Sequence, residues 1–182
     1  MNEYVAFVRA INVGGRSIVR MTDLRDAFVA AGCERVRTCI QSGNVVFESP
    51  DKDSSALFAR IRNRIGSLAD TPPGVSFRTM SELERLVRAA PFTEFESDPL
   101  IKLYVVFLAE KPRVKPKLPL LLPKEALEAF GMKNLDVFMV SRRKPNGFYG
   151  FPNNFIEKEL GVAGTTRNWT TVTKVHEFAR KA

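Results

Sequence analysis

The sequence predicts an α+β fold that duplicates a ferredoxin-like βαββαβ unit, with mostly antiparallel sheets. Two observations indicate this fold. Stretches of alternating apolar residues, typical of strands, are separated by stretches with helical apolar spacing, and the same order of elements returns in the second half of the chain. We therefore expect a first unit over residues 1–92, which includes an extra helix, and a related second unit over residues 99–182. The two units are either separate or packed as one compact domain.

The first half of the chain contains the six elements of one unit. We predict strands over residues 4–12, 36–40, 45–48 and 75–79, and helices over residues 22–31 and from Asp53 or Ser54 onward. Gly43 and Asn44 tolerate positive φ, which indicates a hairpin between the second and third strands. Ser81 and Glu84 predict a capping box for the extra helix, which ends before Pro91.

The second half repeats this order of elements. We predict strands over residues 102–109, 137–141, 148–151 and 163–167, and helices over residues 124–130, 153–160 and 171–180. Gly131 and Gly161 directly follow two of these helices, as C-terminal caps do. The segment Pro145-Asn146-Gly147 is typical of a hairpin turn between the second and third of these strands.

Composition limits the classes of function. The 182 residues are 45% hydrophobic and carry a net charge of +8, which favours anionic partners such as nucleic acid, although dispersed charge is also typical of a solvated surface. Apolar stretches are too short for a membrane helix, and the N-terminus does not look like a secretory signal. We expect a cytoplasmic protein with no membrane partner, no cofactor and no metal. Cys33 and Cys39, the two cysteines, are expected to be reduced and structural.

Three motifs indicate a family. They are Arg-Ala-Ile-Asn-Val-Gly-Gly at residues 9–15, Gln-Ser-Gly-Asn-Val-Val-Phe at residues 41–47, and a longer stretch over residues 154–172 that includes Thr-Thr-Arg-Asn-Trp. The first two motifs resemble a strand-end and a hairpin signature of the domain of unknown function 1697 family, an uncharacterised bacterial family. The resemblance extends over essentially the whole chain. It implies a fold and a set of candidate residues, but no reaction.

The first two motifs are expected to meet in space. In a ferredoxin-like sheet the end of the first strand lies at the same edge as the hairpin between the second and third strands. We name the edge formed by residues 9–15 and 41–44 the Arg9 edge. We predict that it binds a small anionic or nucleotide-like ligand through Arg9, Asn12, Gly14, Gly15, Gln41, Ser42 and Asn44. Because such residues also form ordinary turns, a purely structural role stays open.

Two further ligand candidates, Arg167 and Asn168, precede the last predicted helix. Arg167 is able to clamp a carboxylate or phosphate while Trp169 stacks on a ligand. The alternative is structural: Thr170 or Thr171 caps the helix, Trp169 closes the core, and Arg167 pairs with an acidic residue.

Aromatic residues suggest a nucleic-acid alternative. Phe148, Tyr149 and Phe151 lie on the third predicted strand of the second unit and Tyr104 on its first, where RNA-recognition motifs place stacking aromatics. The basic segment over residues 111–117 would add affinity that falls steeply with salt. Strand aromatics more commonly pack a core, and Pro152 interrupts the strand where that motif continues.

Groups for conventional catalysis are few. The single histidine, His176, is expected on the surface of the last helix, and neither cysteine lies at a helix N-terminus that would favour the thiolate. The leading hypothesis is therefore a non-catalytic binding protein that uses the Arg9 edge. Nucleic-acid binding is the second hypothesis, an enzyme of unrecognised class is the third, and an oligomerisation module is the last.

Overall fold

The computed structural model describes residues 1–9, 19–40 and 43–181, which form an α+β fold with two antiparallel sheets and five α-helices. The strands are β1 (Asn2–Val8), β2 (Glu34–Cys39), β3 (Asn44–Ser49), β4 (Val75–Thr79), β5 (Ile101–Leu108), β6 (Leu120–Leu122), β7 (Leu127–Lys133), β8 (Asp136–Arg142) and β9 (Gly164–Asn168). The helices are α1 (Met21–Ala30), α2 (Ser54–Gly66), α3 (Met80–Ala89), α4 (Asn153–Leu160) and α5 (Trp169–Arg180). The predicted α+β class is confirmed.

The chain divides into two compact units. Unit 1 consists of Met1–Arg85 with Val175–Ala182, and unit 2 consists of Leu86–Lys174. Each unit contains one of the two sheets. None of the helices described is long and apolar enough to cross a membrane.

Unit 1 has the element order βαββαβ and the strand order β2-β3-β1-β4, with every neighbouring pair antiparallel. Its core lies under α1 and α2. Helical spacing places Leu24 and Phe28 on one face of α1, and Leu57 and Ile61 on one face of α2, and all four belong to one apolar cluster. At the centre is the ring of Phe47, fully buried and in contact with other core rings.

Side-chain caps start two of the helices in unit 1. Asp53 caps α2, since its Oδ1 accepts hydrogen bonds from the backbone N–H groups of Ser55 at 2.9 Å and Ala56 at 3.2 Å. The capping box predicted for Ser81 and Glu84 is wrong by two residues. The hydroxyl of Thr79 instead accepts from Glu82 N at 3.2 Å, while Glu82 Oε2 accepts from Thr79 N at 2.8 Å.

Unit 2 has the strand order β6-β7-β8-β5-β9, again antiparallel throughout. Apart from the edge strand β6, this is the order of the first sheet. Residues of β5, β7, β8 and α4 form one apolar cluster, and Phe92 packs against Phe138 of β8 with their ring centroids 6.0 Å apart. At its end α4 has Gly161 with φ of 67°, which confirms the predicted helix and its glycine cap.

The helix predicted over residues 124–130 is wrong. Only Pro123–Glu125 form a short 3₁₀ helix, and β7 starts at Leu127. Leu127 and Ala129 are buried in the core of unit 2, whereas Glu128 between them is half-buried, so the pattern has the period of a strand. Pairing with β8 overrides the local helical spacing because it supplies a partner for each backbone polar group along the segment.

The strand predicted over residues 148–151 is also wrong, although the turn before it exists. Gly147 N donates to the carbonyl of Lys144 at 2.8 Å, and Lys144 N donates to the carbonyl of Phe148 at 2.9 Å. No strand follows because β8 already pairs with β7 on one side and β5 on the other. Residues 143–152 therefore form a loop between β8 and α4.

Candidate functional site

The described part of the Arg9 edge has the predicted geometry. Val8 N donates to the carbonyl of Gly43 at 2.8 Å, and Arg9 N donates to the carbonyl of Gly74 at 2.7 Å. Arg9 therefore follows the end of β1, lies beside the β2–β3 hairpin and is half-buried. The other predicted ligand residues of this edge, apart from Asn44, lie outside the described residues: Asn12, Gly14, Gly15, Gln41 and Ser42.

Asn44 serves the hairpin itself. The side chain is fully buried, and its Nδ2 donates to the carbonyl of Cys39 at 3.1 Å, across the turn. Ile40 and Gly43 in this turn have positive φ of 60° and 74°. The amide of Asn44 thus holds the turn closed, and its predicted role toward a ligand stays a prediction.

Arg167 and Asn168 lie at the end of β9 in unit 2. Arg167 Nη1 donates to the carbonyl of Thr166 at 2.9 Å, and burial lowers the pKa of Arg167 to about 10, so that the side chain remains a cation at neutral pH. Asn168 Oδ1 accepts from Thr171 N at 2.7 Å. The helix cap expected at Thr170 or Thr171 is therefore wrong, because Asn168 caps α5.

Three of the aromatic candidates, Tyr104, Tyr149 and Phe151, lie close together in unit 2, and Phe148 is on the same loop as Tyr149 and Phe151. We name Lys102, Tyr104, Phe148, Tyr149 and Phe151 the aromatic surface. The rings of Tyr104 and Phe151 meet edge to face with centroids 6.0 Å apart, and the ammonium of Lys102 lies 4.3 Å from the ring centroid of Tyr149. Burial, and then the proximity of Tyr149, raise the pKa of Tyr104. The sequence predicted these aromatic residues as candidates but did not predict a role for Lys102. In the sequence, Lys102 is distinguished only by its position at the start of a predicted strand.

Two members of the aromatic surface are open to solvent. Phe148 is 70% exposed and Phe151 is 64% exposed, whereas Tyr149 is half-buried and Tyr104 is buried. Of these four candidates, only Tyr104 fits the expectation that strand aromatics pack a core. A contiguous exposed apolar patch is characteristic of a binding surface, and two exposed phenylalanines on one short loop are candidates for such a patch.

Gly150 fixes the loop that carries Phe148 and Phe151 near the end of the loop. The hydroxyl of Ser141 on β8 donates to the carbonyl of Gly150 at 3.0 Å. A Cβ on Gly150 would overlap the backbone carbonyl oxygen of Glu125. Only glycine allows the loop to lie this close to the 3₁₀ helix.

Side chains fix the start of the same loop. Asn146 Oδ1 accepts from Phe148 N at 3.1 Å, and the ammonium of Lys144 lies 2.8 Å from Glu125 Oε2. The exposed rings are therefore held on a hydrogen-bonded loop, which lowers the entropy cost of binding a ligand.

Acidic residues pair with basic residues at the end of β8 and at the start of the loop that follows it. Arg142 Nη1 lies 2.7 Å from Glu128 Oε2, and Lys144 is paired with Glu125. Among the described residues, Lys102 and Arg143 have no acidic partner. The surface therefore offers two stacking rings with few free cations.

Both cysteines and the histidine are buried in the described structure. Burial raises the pKa of the Cys33 thiol to about 12 and also raises that of Cys39, so neither is a thiolate at neutral pH. The expectation of a surface His176 is wrong, since this residue is buried on α5 together with Val172 and Val175. No cluster of three metal-ligating side chains occurs within residues 1–9, 19–40 and 43–181.

Comparisons with known proteins give a family but no activity. The family model described as Protein of unknown function (DUF1697) matches residues 1–138. Among solved structures, the chain is similar to the conserved bacterial protein SP0830 from Streptococcus pneumoniae, with a TM-score of 0.66 and 21% identity over 100% of this chain and 99% of that chain. At this identity the likeness shows the fold alone. A comparison with curated proteins finds no match.

Proposed function

The chain belongs to the DUF1697 family of proteins of unknown function, and we propose that it binds single-stranded nucleic acid on the aromatic surface. The observation that supports this proposal is the exposure of Phe148 and Phe151 on a loop that Gly150 and Asn146 hold in place. Each ring is able to stack on one base of an unpaired strand, and such stacking contributes about 1–3 kcal/mol per base.

The charges of the chain fit this partner. The net charge of +8 attracts a polyanion over a distance, and we expect Lys102 beside Tyr149 and the exposed Arg143 at the start of the loop to contact phosphates. Because Lys144 on the loop is already paired with Glu125, we expect a weaker salt dependence than the basic composition suggested. Two phosphate contacts on a single strand correspond to a slope of about −1.4 in a plot of log K against log salt.

Fluorescence anisotropy with labelled oligonucleotides tests the proposal. Single-stranded RNA and DNA of about 12 nucleotides should bind, and the matching duplex should bind more weakly because its bases are not free to stack. The double variant Phe148→Ala/Phe151→Ala should weaken single-strand binding by roughly 5- to 150-fold for each base that loses its ring.

Two variants separate stacking from other effects. Phe148→Leu/Phe151→Leu keeps the apolar area but removes the π faces, so it should lose most of the affinity that the alanine variant loses. Leu121→Ala removes a 59% exposed apolar side chain from β6 and should leave binding unchanged. Equal binding of duplex and single strand, or binding that Leu121→Ala weakens as much, would reject the stacking proposal.

A second candidate function is the binding of a small anion at the Arg9 edge. It is supported by the hydrogen bond from Val8 to Gly43, which brings the end of β1 to the hairpin and so leaves Arg9 beside it. Asn44 is unsuitable as a test residue, because its buried amide closes the turn. Arg9→Gln should therefore abolish binding of phosphate or a mononucleotide with an unchanged melting temperature, and Arg25→Gln on the exposed side of α1 is the control.

The proposal includes a location. As a bacterial, cytoplasmic protein, the chain would share a compartment with single-stranded RNA. We assign no reaction and no cofactor to the chain. Light scattering with and without an oligonucleotide would give the oligomeric state, and a change of state on binding would indicate that two copies share one strand.

A further inference from the structure

A groove of about 480 Å³ lies in unit 2, between the segment that follows β5 and the β7–β8 hairpin. Three lysines surround it: Lys111, Lys115 and Lys133. All three are exposed. Leu118 and Met132, which also line the groove, are half-buried and pack against the core of unit 2. The groove therefore has a cationic rim and an apolar floor.

The groove occupies the edge of unit 2 that corresponds to the Arg9 edge of unit 1. Leu108 N donates to the carbonyl of Leu135 at 2.8 Å, and Ala109 N donates to the carbonyl of Ala163 at 2.8 Å. Leu108 and Ala109 stand at the end of β5 as Val8 and Arg9 stand at the end of β1. The two hydrogen bonds are therefore equivalent to those from Val8 and Arg9 in unit 1. Both units thus bring basic residues to the point where the first strand ends beside the hairpin.

The chemistry of the lining restricts the ligand. Three ammonium groups around one groove favour an anion, since like charges held close together repel until a negative group is bound. The floor of Leu118, Met132 and Pro112 favours an apolar group, because burying it removes apolar area from water. A volume of this size falls in the range of small-molecule sites.

We infer that this groove is a binding site for a small amphipathic anion, a molecule with a phosphate or carboxylate at the lysine rim and an apolar group on the Leu118–Met132 floor. The inference is independent of the proposed stacking of nucleic acid. Lys102 and Tyr104 of the aromatic surface lie near the start of β5, whereas the groove lies beyond its end.

Calorimetric titration with three probes tests the combination of charge and apolar group. The probes are 1-naphthyl phosphate, inorganic phosphate and 1-naphthol. The first should bind at least about tenfold more tightly than either of the others, which corresponds to about 1.4 kcal/mol. Similar affinity for naphthyl phosphate and inorganic phosphate would show a merely ionic surface, and no binding of naphthyl phosphate would also overturn the inference.

Variants locate the site. Lys111→Gln/Lys133→Gln should weaken binding of naphthyl phosphate at least about tenfold with an unchanged melting temperature. The matched control is Lys117→Gln, an exposed lysine of the same segment that does not line the groove. An equal loss in the control would overturn the assignment. The variant Phe148→Leu/Phe151→Leu should bind naphthyl phosphate normally, and a loss there would place the probe on the aromatic surface instead.

A last arm distinguishes the groove from a nucleic-acid contact. If an oligonucleotide competes with naphthyl phosphate in the wild type and also in the Phe148→Leu/Phe151→Leu variant, the lysines contact nucleic acid and the small-molecule site is wrong. Independent binding of the two ligands is the expected result.

Discussion

The two sheets place equivalent residues at the same points of their central strands. Tyr4 of β1 lies opposite Phe47 of β3, and Tyr104 of β5 lies opposite Met139 of β8. In each unit the tyrosine and its partner are buried. The likeness of register adds to the likeness of strand order, and it supports the predicted duplication as an interpretation of the fold.

The connections between the strands differ far more than the strands. After β3 the chain reaches α2 through residues 50–53, whereas after β8 it reaches α4 through residues 143–152. Unit 1 has α1 between its first two strands, and unit 2 has β6 and a 3₁₀ helix there. Backbone pairing constrains the strands, while connections on the surface are free to change length and chemistry. Both candidate binding surfaces of unit 2 lie in these changed connections.

The largest expected effect concerns the equivalent core positions. Phe47→Ala should cost about 3–5 kcal/mol and Met139→Ala about 2–5 kcal/mol, because each leaves a cavity in a fully buried site. Phe47 should be the more sensitive, since its ring contacts the rings of Tyr4 and Phe28. Urea unfolding followed by circular dichroism measures both losses.

The same experiment compares the units directly. Trp169, the single tryptophan, lies in unit 2 and packs on Phe92, so its fluorescence reports on that unit. If Phe47→Ala shifts the tryptophan transition as much as the circular dichroism transition, the two units unfold together. A loss of under about 1 kcal/mol for Phe47→Ala would contradict its central place in the core.

The next effect concerns the long connection of unit 2. Gly150→Ala should cost about 1–3 kcal/mol, because the added methyl overlaps the carbonyl of Glu125, and it should also weaken oligonucleotide binding by moving Phe148 and Phe151. The control is Gly161→Ala, where φ is 67° but no atom lies within 4 Å. It should cost about 1–2 kcal/mol from backbone strain alone and leave binding intact. Unchanged binding in Gly150→Ala would show that a fixed loop is not needed.

A pH-dependent effect is expected from Cys33 in unit 1, which contains both cysteines. Burial raises the pKa of Cys33 from 9.0 to about 12, so the folded state keeps the thiol proton that the unfolded state loses above pH 9.0. Stability should therefore fall as pH rises above 9.0, by up to about 1.4 kcal/mol per pH unit. Urea midpoints at a series of pH values should show a smaller slope for Cys33→Ala, and an unchanged slope would mean that the thiol is accessible.

The smallest expected effect concerns two equivalent helix caps. Thr79 ends β4 opposite Tyr4 and caps α3, and Asn168 ends β9 opposite Tyr104 and caps α5. Alanine at either position should cost about 1 kcal/mol, and Thr79→Ser or Asn168→Asp should restore most of it. Ligand titration of Asn168→Ala adds a second measurement: lost binding at unchanged stability would favour its predicted role as a ligand residue over the cap.

Local patterns predicted most of the elements and the aromatic residues of the candidate site, but not which elements pack against them. The apolar spacing of α1, α2, α4 and α5, together with Gly161, needed no partner to be recognised. The segment over residues 124–130 has an equally helical spacing, and only the presence of β8 beside it makes it a strand. His176 has polar neighbours in the sequence, but α5 places it on the same buried side as Val172.

The sequence by itself determined the α+β class, the order of strands and helices in unit 1, and the grouping of Phe148, Tyr149 and Phe151, because these depend on residues close together in the chain. Only the tertiary structure decided that two of these rings face solvent and that Lys102 covers the third. It also decided that three lysines surround an apolar groove. Exposure and charge pairing depend on which distant segments of the chain meet. Because β7 and β5 pair with both sides of β8, the segment after β8 remains a loop and does not join the sheet.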